Sequence, residues 1–246
     1  IYSAALAHGN TAATVVLDTP VVISSKELEA VWRPTEYSGR FYGPTRLREA
    51  LVRSMNLVSV RLLLFETGIG NAVRHIALFG FGDAALPRNG SLALGAGATS
   101  PLDMVQGYAT IANGGYAIKP YVIDSIFGTD GALLYRAEPP VVCEPCQAKP
   151  DLRFDDELLE EMSADQMAEV ALDYRPDAAT APELCANVVA AERVIATQNT
   201  FLIQAMMRDG IQRGTGRRAR ILGRSDRAGK TGTANQLRDA GAGGLE

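Results

Sequence analysis

Hydrophobic and polar positions along the chain fall into a few recognisable periods. Ile1-Tyr2-Ser3-Ala4-Ala5-Leu6-Ala7 reads as helix with no capping residue or initiating methionine ahead of it, as though the chain began inside a helix. Two apolar runs, Thr14-Val15-Val16-Leu17 and Pro20-Val21-Val22-Ile23, are broken by Asp18-Thr19 and predict extended structure. Trp32-Arg33-Pro34 through Tyr42-Gly43-Pro44 is a loop rich in aromatic and turn residues. From Thr45 the spacing turns helical, with Leu47, Ala50 and Leu51 on one face and Arg46, Arg48, Glu49 and Arg53 mostly off it. Ser54-Met55-Asn56 falls at a helix junction, before Leu57, Val58, Arg61 and Leu62 begin another apolar stripe.

Further on, Gly68-Ile69-Gly70 and Gly80-Phe81-Gly82 bracket a short helix carrying His75, which reads as a packed or surface histidine. Thr99-Ser100-Pro101-Leu102-Asp103 is a helix start, with Ser100 as cap, and that helix should run to Asn113, where Gly114-Gly115 stop it. Ile118 to Phe127 and Ala132 to Tyr135 flank Gly128-Thr129-Asp130-Gly131 as a hairpin. One helix is expected around Asp155 to Ala171. Another opens at Thr197 and carries Leu202, Ile203, Met206 and Met207, read as core, before Gly214-Thr215-Gly216 close it. An arginine-rich turn then leads to a strand through Lys230. No internal repeat is visible.

At 246 residues and 47% hydrophobic content the chain is long and apolar enough for a globular core. No run approaches the roughly 18 uninterrupted apolar residues of a membrane span. The net charge of -4 argues against a nucleic-acid partner. That charge is uneven, because Glu144 to Arg193 holds thirteen acidic residues against four basic ones. An acidic insert thus interrupts a mildly basic body. Three cysteines are too few for a disulfide framework. Cys143-Glu144-Pro145-Cys146 could be a redox pair, half of a zinc site or a local disulfide; a structural or incidental pair is favoured, bridged only in an oxidising compartment.

The chemistry concentrates in Ala228-Gly229-Lys230-Thr231-Gly232-Thr233-Ala234, where a lysine, two hydroxyls and two glycines stand together as if to hold an anion. On an extended strand Lys230 and Gly232 share one face, Thr231 and Thr233 the other. Gly232 leaves room for a ligand against the backbone. A phosphate-cradling loop requires G-x-x-x-x-G-K-[ST], yet Arg224 stands where its first glycine belongs. A second chemistry that uses such a Gly-Lys-Thr is acyl transfer by penicillin-binding enzymes, which combine K-T-G with S-x-x-K and an S-x-N element; by itself the tripeptide is equally that of a plain surface strand.

Ser54-Met55-Asn56 and Lys230-Thr231-Gly232 supply the last two elements in the right order. Tyr37 to Leu51, Ser91-Leu92-Ala93-Leu94-Gly95, Asn113-Gly114-Gly115-Tyr116 and Gly214-Thr215-Gly216 extend the likeness. Over nearly its whole length, the acidic insert being loosest, the chain resembles the transpeptidase domain of bifunctional class A penicillin-binding proteins of Gram-negative bacteria. The resemblance implies an α+β fold, a partial penicillin-binding-protein/β-lactamase-like transpeptidase fold with a helical lobe and part of an antiparallel sheet. Residues 1–143 would form the helical lobe, 144–193 the acidic insert, and 194–246 a helix and the K-T-G strand. One central strand would lie in this chain, the others beyond both ends, and an unpaired edge on it would leave the isolated chain poorly stable.

The resemblance further implies a DD-transpeptidase acting on stem peptides ending in D-Ala-D-Ala. Its nucleophilic serine and neighbouring lysine would stand just before Ile1, so this chain alone is expected to be inactive. Lys230 would meet the substrate's terminal carboxylate, with Thr231 and Thr233 adding hydroxyls. The Thr233 N–H would complete an oxyanion hole, Ser54 would relay a proton to the leaving amine, and Asn56 would hold the substrate amide. Peptidoglycan stem peptides and β-lactams are the implied partners. Neither nucleic acid nor cofactor nor metal is expected, and membrane contact would come only through an N-terminal anchor outside this chain. The place would be the periplasmic face of the bacterial inner membrane, the parent also carrying a glycosyltransferase. The alternatives are a non-catalytic member of the same fold that senses β-lactams or scaffolds wall proteins, and, remotely, a phosphate or nucleotide binder through Gly229-Lys230-Thr231.

Overall fold

The structure is a computed structural model and describes residues 1–24, 31–82, 86–143, 189–233 and 240–245. They fall into two compact units, Ile1–Pro120 with Arg193–Glu246, and Tyr121–Glu192.

In the first unit the opening helix α1 (Tyr2–Ala7) is followed by β1 (Val15–Asp18) and a short ladder of β2 (Ile23–Ser24) with β3 (Val31–Trp32). β4 (Gly43–Arg46) pairs antiparallel with β1, Asp18 opposite Gly43 and Val15 opposite Arg46. The helix expected from Thr45 therefore starts later, as α2 (Leu47–Arg53), because the ladder to β1 holds Thr45 and Arg46 extended. After Ser54, α3 (Asn56–Arg61) passes directly into a π-helical stretch, Leu62–Thr67, and Gly68 separates this from α4 (Ile69–Ala77). α5 (Pro101–Ala112) begins with a reciprocal cap in which Ser100 Oγ accepts the Asp103 N–H and the Asp103 carboxylate accepts the Ser100 N–H. α6 (Thr197–Gln212) leads through a 3₁₀ turn, Arg217–Leu222, to β7 (Ala228–Thr233).

The single central strand expected from the sequence is corrected here. β8 (Ala240–Leu245) pairs with β7 throughout, Ala228 opposite Leu245 and Thr233 opposite Ala240. Its glycine- and alanine-rich composition gives no strand signal, yet the lack of side chains is what permits the packing. A Cβ on Gly243 would stand 2.4 Å from the Tyr108 ring on α5.

Three apolar clusters hold these elements together. Ala5, Val16, Leu47, Ala50, Met55, Val58 and Leu62 join α1, β1, α2 and α3. Ala4, Leu63, Ala72, Val73 and Leu92 form the second. Leu51, Ile203, Met206, Met207 and Ala228 seat β7 on α6, with both methionines buried as their spacing suggests. Arg48 on α2 adds an ion pair to Asp209 on α6, Nε to Oδ2 at 2.7 Å.

The second unit contains the hairpin of β5 (Ser125–Phe127) and β6 (Leu133–Arg136) around Gly128–Gly131. It is shorter than the sequence suggests, since Tyr121, Val122 and Ile123 are exposed and outside the ladder. Cys143 is disulfide-bonded. The helix expected around Asp155 to Ala171 lies outside the described residues.

Candidate functional site

The junction between α2 and α3 sets the first half of the site. α2 terminates when Ser54 adopts the left-handed backbone, φ 57° and ψ 50°, the only non-glycine among the described residues with positive φ. An L-residue there costs roughly 1–2 kcal/mol, and cores or functional contacts must hold it in place. Met55 does so on one side, buried at 3% exposure with its N–H bonded to Ala50 O at 2.9 Å. Asn56 begins α3, and its Nδ2 donates to Thr35 O at 2.9 Å. Leu57 N–H donates to the carboxylate of Glu36 at 2.6 Å, so a loop about twenty residues upstream caps a helix that has no side-chain cap of its own.

β7 supplies the other half. Lys230 Nζ donates to Ser54 Oγ at 2.6 Å and to Thr231 O at 2.7 Å. An ammonium has three N–H donors, so one remains for a ligand. With a lone pair of Ser54 Oγ engaged by Lys230, the hydroxyl hydrogen of Ser54 is directed elsewhere. Burial lowers the Lys230 pKa from its ordinary 10.5 to about 8. Thr231 Oγ1 lies 2.6 Å from Thr215 Oγ1. A Cβ on Gly232 would meet nothing within 4 Å, which leaves the backbone open to an approaching ligand as its sequence position suggests. Thr233 ends the strand, while its hydroxyl lies outside what is described.

α6 is brought against this pair by close backbone contact. A Cβ on Gly214 would stand 2.3 Å from Val52 O and 2.8 Å from Gly210 O, so only glycine lets the end of α6 touch α2 beside Ser54. Thr215, Thr35 and Glu36 are site neighbours that spacing did not reveal. Gly214-Thr215-Gly216 carried a signal through the resemblance; Glu36 carried none, because capping by a remote side chain leaves no local pattern.

Two other readings are resolved by geometry. Gly229-Lys230-Thr231 lie inside a strand paired residue by residue with β8, so their N–H groups cannot curl around a phosphate, and the nucleotide alternative is set aside. His75 belongs to a packed network: Ser3 Oγ donates to Asn199 Oδ1 at 2.8 Å and so accepts from His75 Nε2 at 2.7 Å. Burial lowers the His75 pKa to about 4, in keeping with a neutral ring. The cavity of about 430 Å³ beside it shares no lining residue with the Ser54–Lys230 pair.

On this α+β scaffold the serine at the helix junction thus meets a strand lysine beside an open glycine, with Asn56 two residues further on. The penicillin binding protein transpeptidase domain matches residues 1–246. The chain belongs to that family. It is 42% identical over 242 residues to penicillin-binding protein 1A of Pseudomonas aeruginosa, covering 97% of this chain and 29% of that protein. The corresponding protein of Neisseria cinerea is 37% identical over 241 residues, 98% of this chain and 24% of that protein. The crystal structure of penicillin-binding protein 1A from Haemophilus influenzae superposes with a TM-score of 0.78 at 30% identity, over 99% of this chain and 34% of that one. The chain thus spans less than a third of the length of these curated relatives.

Proposed function

We propose that this chain supplies the carboxylate clamp and proton relay of a peptidoglycan DD-transpeptidase. The observation that carries the reading is the contact of Lys230 Nζ with Ser54 Oγ at 2.6 Å, which joins the S-x-N and K-T-G elements into one site. A serine upstream of Ile1 attacks the carbonyl of the penultimate D-Ala, and the C–N bond to the last D-Ala breaks. Ser54 passes its hydroxyl proton to the departing amine and takes up the proton that the attacking serine gives up, supported by the Lys230 ammonium. The acyl group then moves from the serine to an amine of a neighbouring strand. The remaining N–H of Lys230 and the Thr231 hydroxyl hold the terminal carboxylate. Asn56 holds the substrate amide, and Thr233 contributes its backbone N–H to the oxyanion and its hydroxyl to the carboxylate, where losing one oxyanion donor costs about 3 kcal/mol.

β-Lactams occupy the same place as stem peptides. The parent protein carries a glycosyltransferase and a membrane anchor and works at the periplasmic face of the inner membrane; no helix among the described residues is long and apolar enough to cross a membrane. Alone, without the nucleophile, this chain forms no acyl-enzyme.

The test is release of D-Ala from a D-Ala-D-Ala stem peptide against the same peptide amidated at its C-terminus, using the protein with its natural upstream sequence. The free carboxylate should be preferred by about 100-fold, and Lys230→Ala should erase the preference. Equal turnover of both peptides by the unaltered protein would refute the clamp.

A further inference from the structure

Charged side chains on α2 and at the end of α6 form one connected group to which the acyl-transfer chemistry gives no role. Arg213, just past α6, reaches Asp209 one turn back, Nη2 to Oδ2 at 2.9 Å, and Glu49 on α2, Nη1 to Oε1 at 2.5 Å. The same Asp209 oxygen takes Arg48 Nε at 2.7 Å, and the other Glu49 oxygen lies 3.5 Å from Arg53 Nε. Burial opposes the Asp209 charge, but hydrogen bonds from Arg48 and Arg213 outweigh it and hold the carboxyl below its ordinary range. Three guanidinium groups and two carboxylates thus alternate across the helix pair. Arg53 immediately precedes Ser54, and Arg213 stands two residues before Thr215. All five are partly exposed, and exposed ion pairs contribute little to stability one at a time. A planar guanidinium held by a carboxylate on each side nevertheless fixes direction as well as distance.

The next two residues are where that direction is used. Gly214 lies against Val52 O, and the Thr215 N–H donates to the same carbonyl at 3.3 Å. One turn earlier, a Cβ on Gly210 would stand 3.2 Å from Gly229 O, so the end of α6 also lies close on β7. The Thr215 hydroxyl is 2.6 Å from that of Thr231. Of two hydroxyls in such contact one donates and the other accepts. A carboxylate only accepts, so when one is bound the Thr231 hydrogen points to it and Thr215 becomes the donor to Thr231. We propose that Arg213, clasped between Asp209 and Glu49, is a positioning residue that sets Thr215 at this distance, so that Thr215 turns the Thr231 hydroxyl toward the substrate carboxylate. Arg213 touches no substrate in this account; it acts through Thr215.

The inference rests on the carboxylate clamp of Lys230 and Thr231 for its kinetic consequence, but not for its structural one, so two readouts are taken. Hydrogen exchange of the Thr215 amide reports the anchoring directly. Release of D-Ala from the stem peptide against its C-terminal amide, by the protein with its natural upstream sequence, reports its use. Arg213→Ala should speed that exchange about tenfold and cut the preference for the free carboxylate about tenfold, the loss lying in KM. Turnover of the amidated peptide should stay within about twofold. Glu49→Gln removes the charge across the helices and leaves Arg213 its Asp209 partner. It should speed exchange and cut the preference by about fivefold each, which keeps the test decisive if Arg213→Ala does not fold. Thr215→Val, of like shape without the hydroxyl, should cut the preference about tenfold. Adding Arg213→Ala to it should cut no further, because both losses pass through one hydrogen bond. Unchanged exchange in both Arg213→Ala and Glu49→Gln, an equal slowing on the two peptides, or losses that multiply to about 100-fold in the double variant would each overturn the proposal. Equal turnover of both peptides by the unaltered protein, with exchange responding as stated, would instead overturn the clamp and leave Arg213 as the anchor of Thr215.

Discussion

Conformation and chemistry oppose each other at Ser54. Its left-handed backbone favours glycine, yet the hydroxyl is the group that meets Lys230 at 2.6 Å. Ser54→Gly should therefore leave thermal stability unchanged or higher by up to about 1 kcal/mol, relief of the backbone being partly offset by a freer unfolded chain. Acylation should nevertheless fall by about 100-fold for want of the proton relay; a variant both stable and active would remove Ser54 from the mechanism. Lys230 gives a pH prediction whose sign follows from burial. Its lowered pKa of about 8 leaves the ammonium charged below that value and neutral above it. Acylation by a carboxylate-bearing β-lactam should fall as pH rises through about 8. Lys230→Arg, charged at every accessible pH, should lose that decline even though its rate is lower. A decline at the same pH in Lys230→Arg would assign the titration to another group. Ser54, Asn56, Lys230 and Thr231 are candidates from the sequence because each stands in a short motif. The contact between Ser54 and Lys230 is not legible there, since it depends on how α6 seats β7 against the α2–α3 junction.

Among the elements, legibility followed the strength of the local signal. α5 announces itself, because Ser100, Pro101 and Asp103 satisfy the first turn without tertiary help. Ser100→Ala should cost about 1 kcal/mol in a denaturant titration. β8 gave no such sign. Alanine and glycine carry little strand preference, and only register with β7 and the close approach of Tyr108 select the extended state. α2 was placed two residues early for a related reason: pairing with β1 outweighs the helical spacing at Thr45 and Arg46. The joint between α6 and α2 is likewise a tertiary feature. Gly214→Ala forces a Cβ to within 2.3 Å of Val52 O, and should destabilise by about 1–3 kcal/mol while displacing Thr215 from Thr231. Unchanged melting and acylation in that variant would mean the joint relaxes freely.

At the scale of the molecule, the family assignment rests on a match that runs over the whole chain. Motif order and the stretches around the motifs led to the transpeptidase domain, and the 42% identity with the Pseudomonas aeruginosa protein spans 97% of this chain. Cysteine counting could not choose between a redox pair, a zinc half-site and a bridge; the structure places Cys143 in a disulfide, as an oxidising compartment permits. Cys143 should resist alkylation until the protein is reduced, and labelling of the unreduced native protein at that residue would contradict the bridge. The central claim is that Lys230 and Ser54 serve an acylating serine supplied by the sequence ahead of Ile1. Its most direct test is intact mass after penicillin treatment of the protein carrying that upstream sequence. The account predicts one covalent adduct, formed about 100-fold more slowly in Lys230→Ala. No adduct on the folded, unaltered protein would contradict it and leave a non-catalytic scaffold of the same fold.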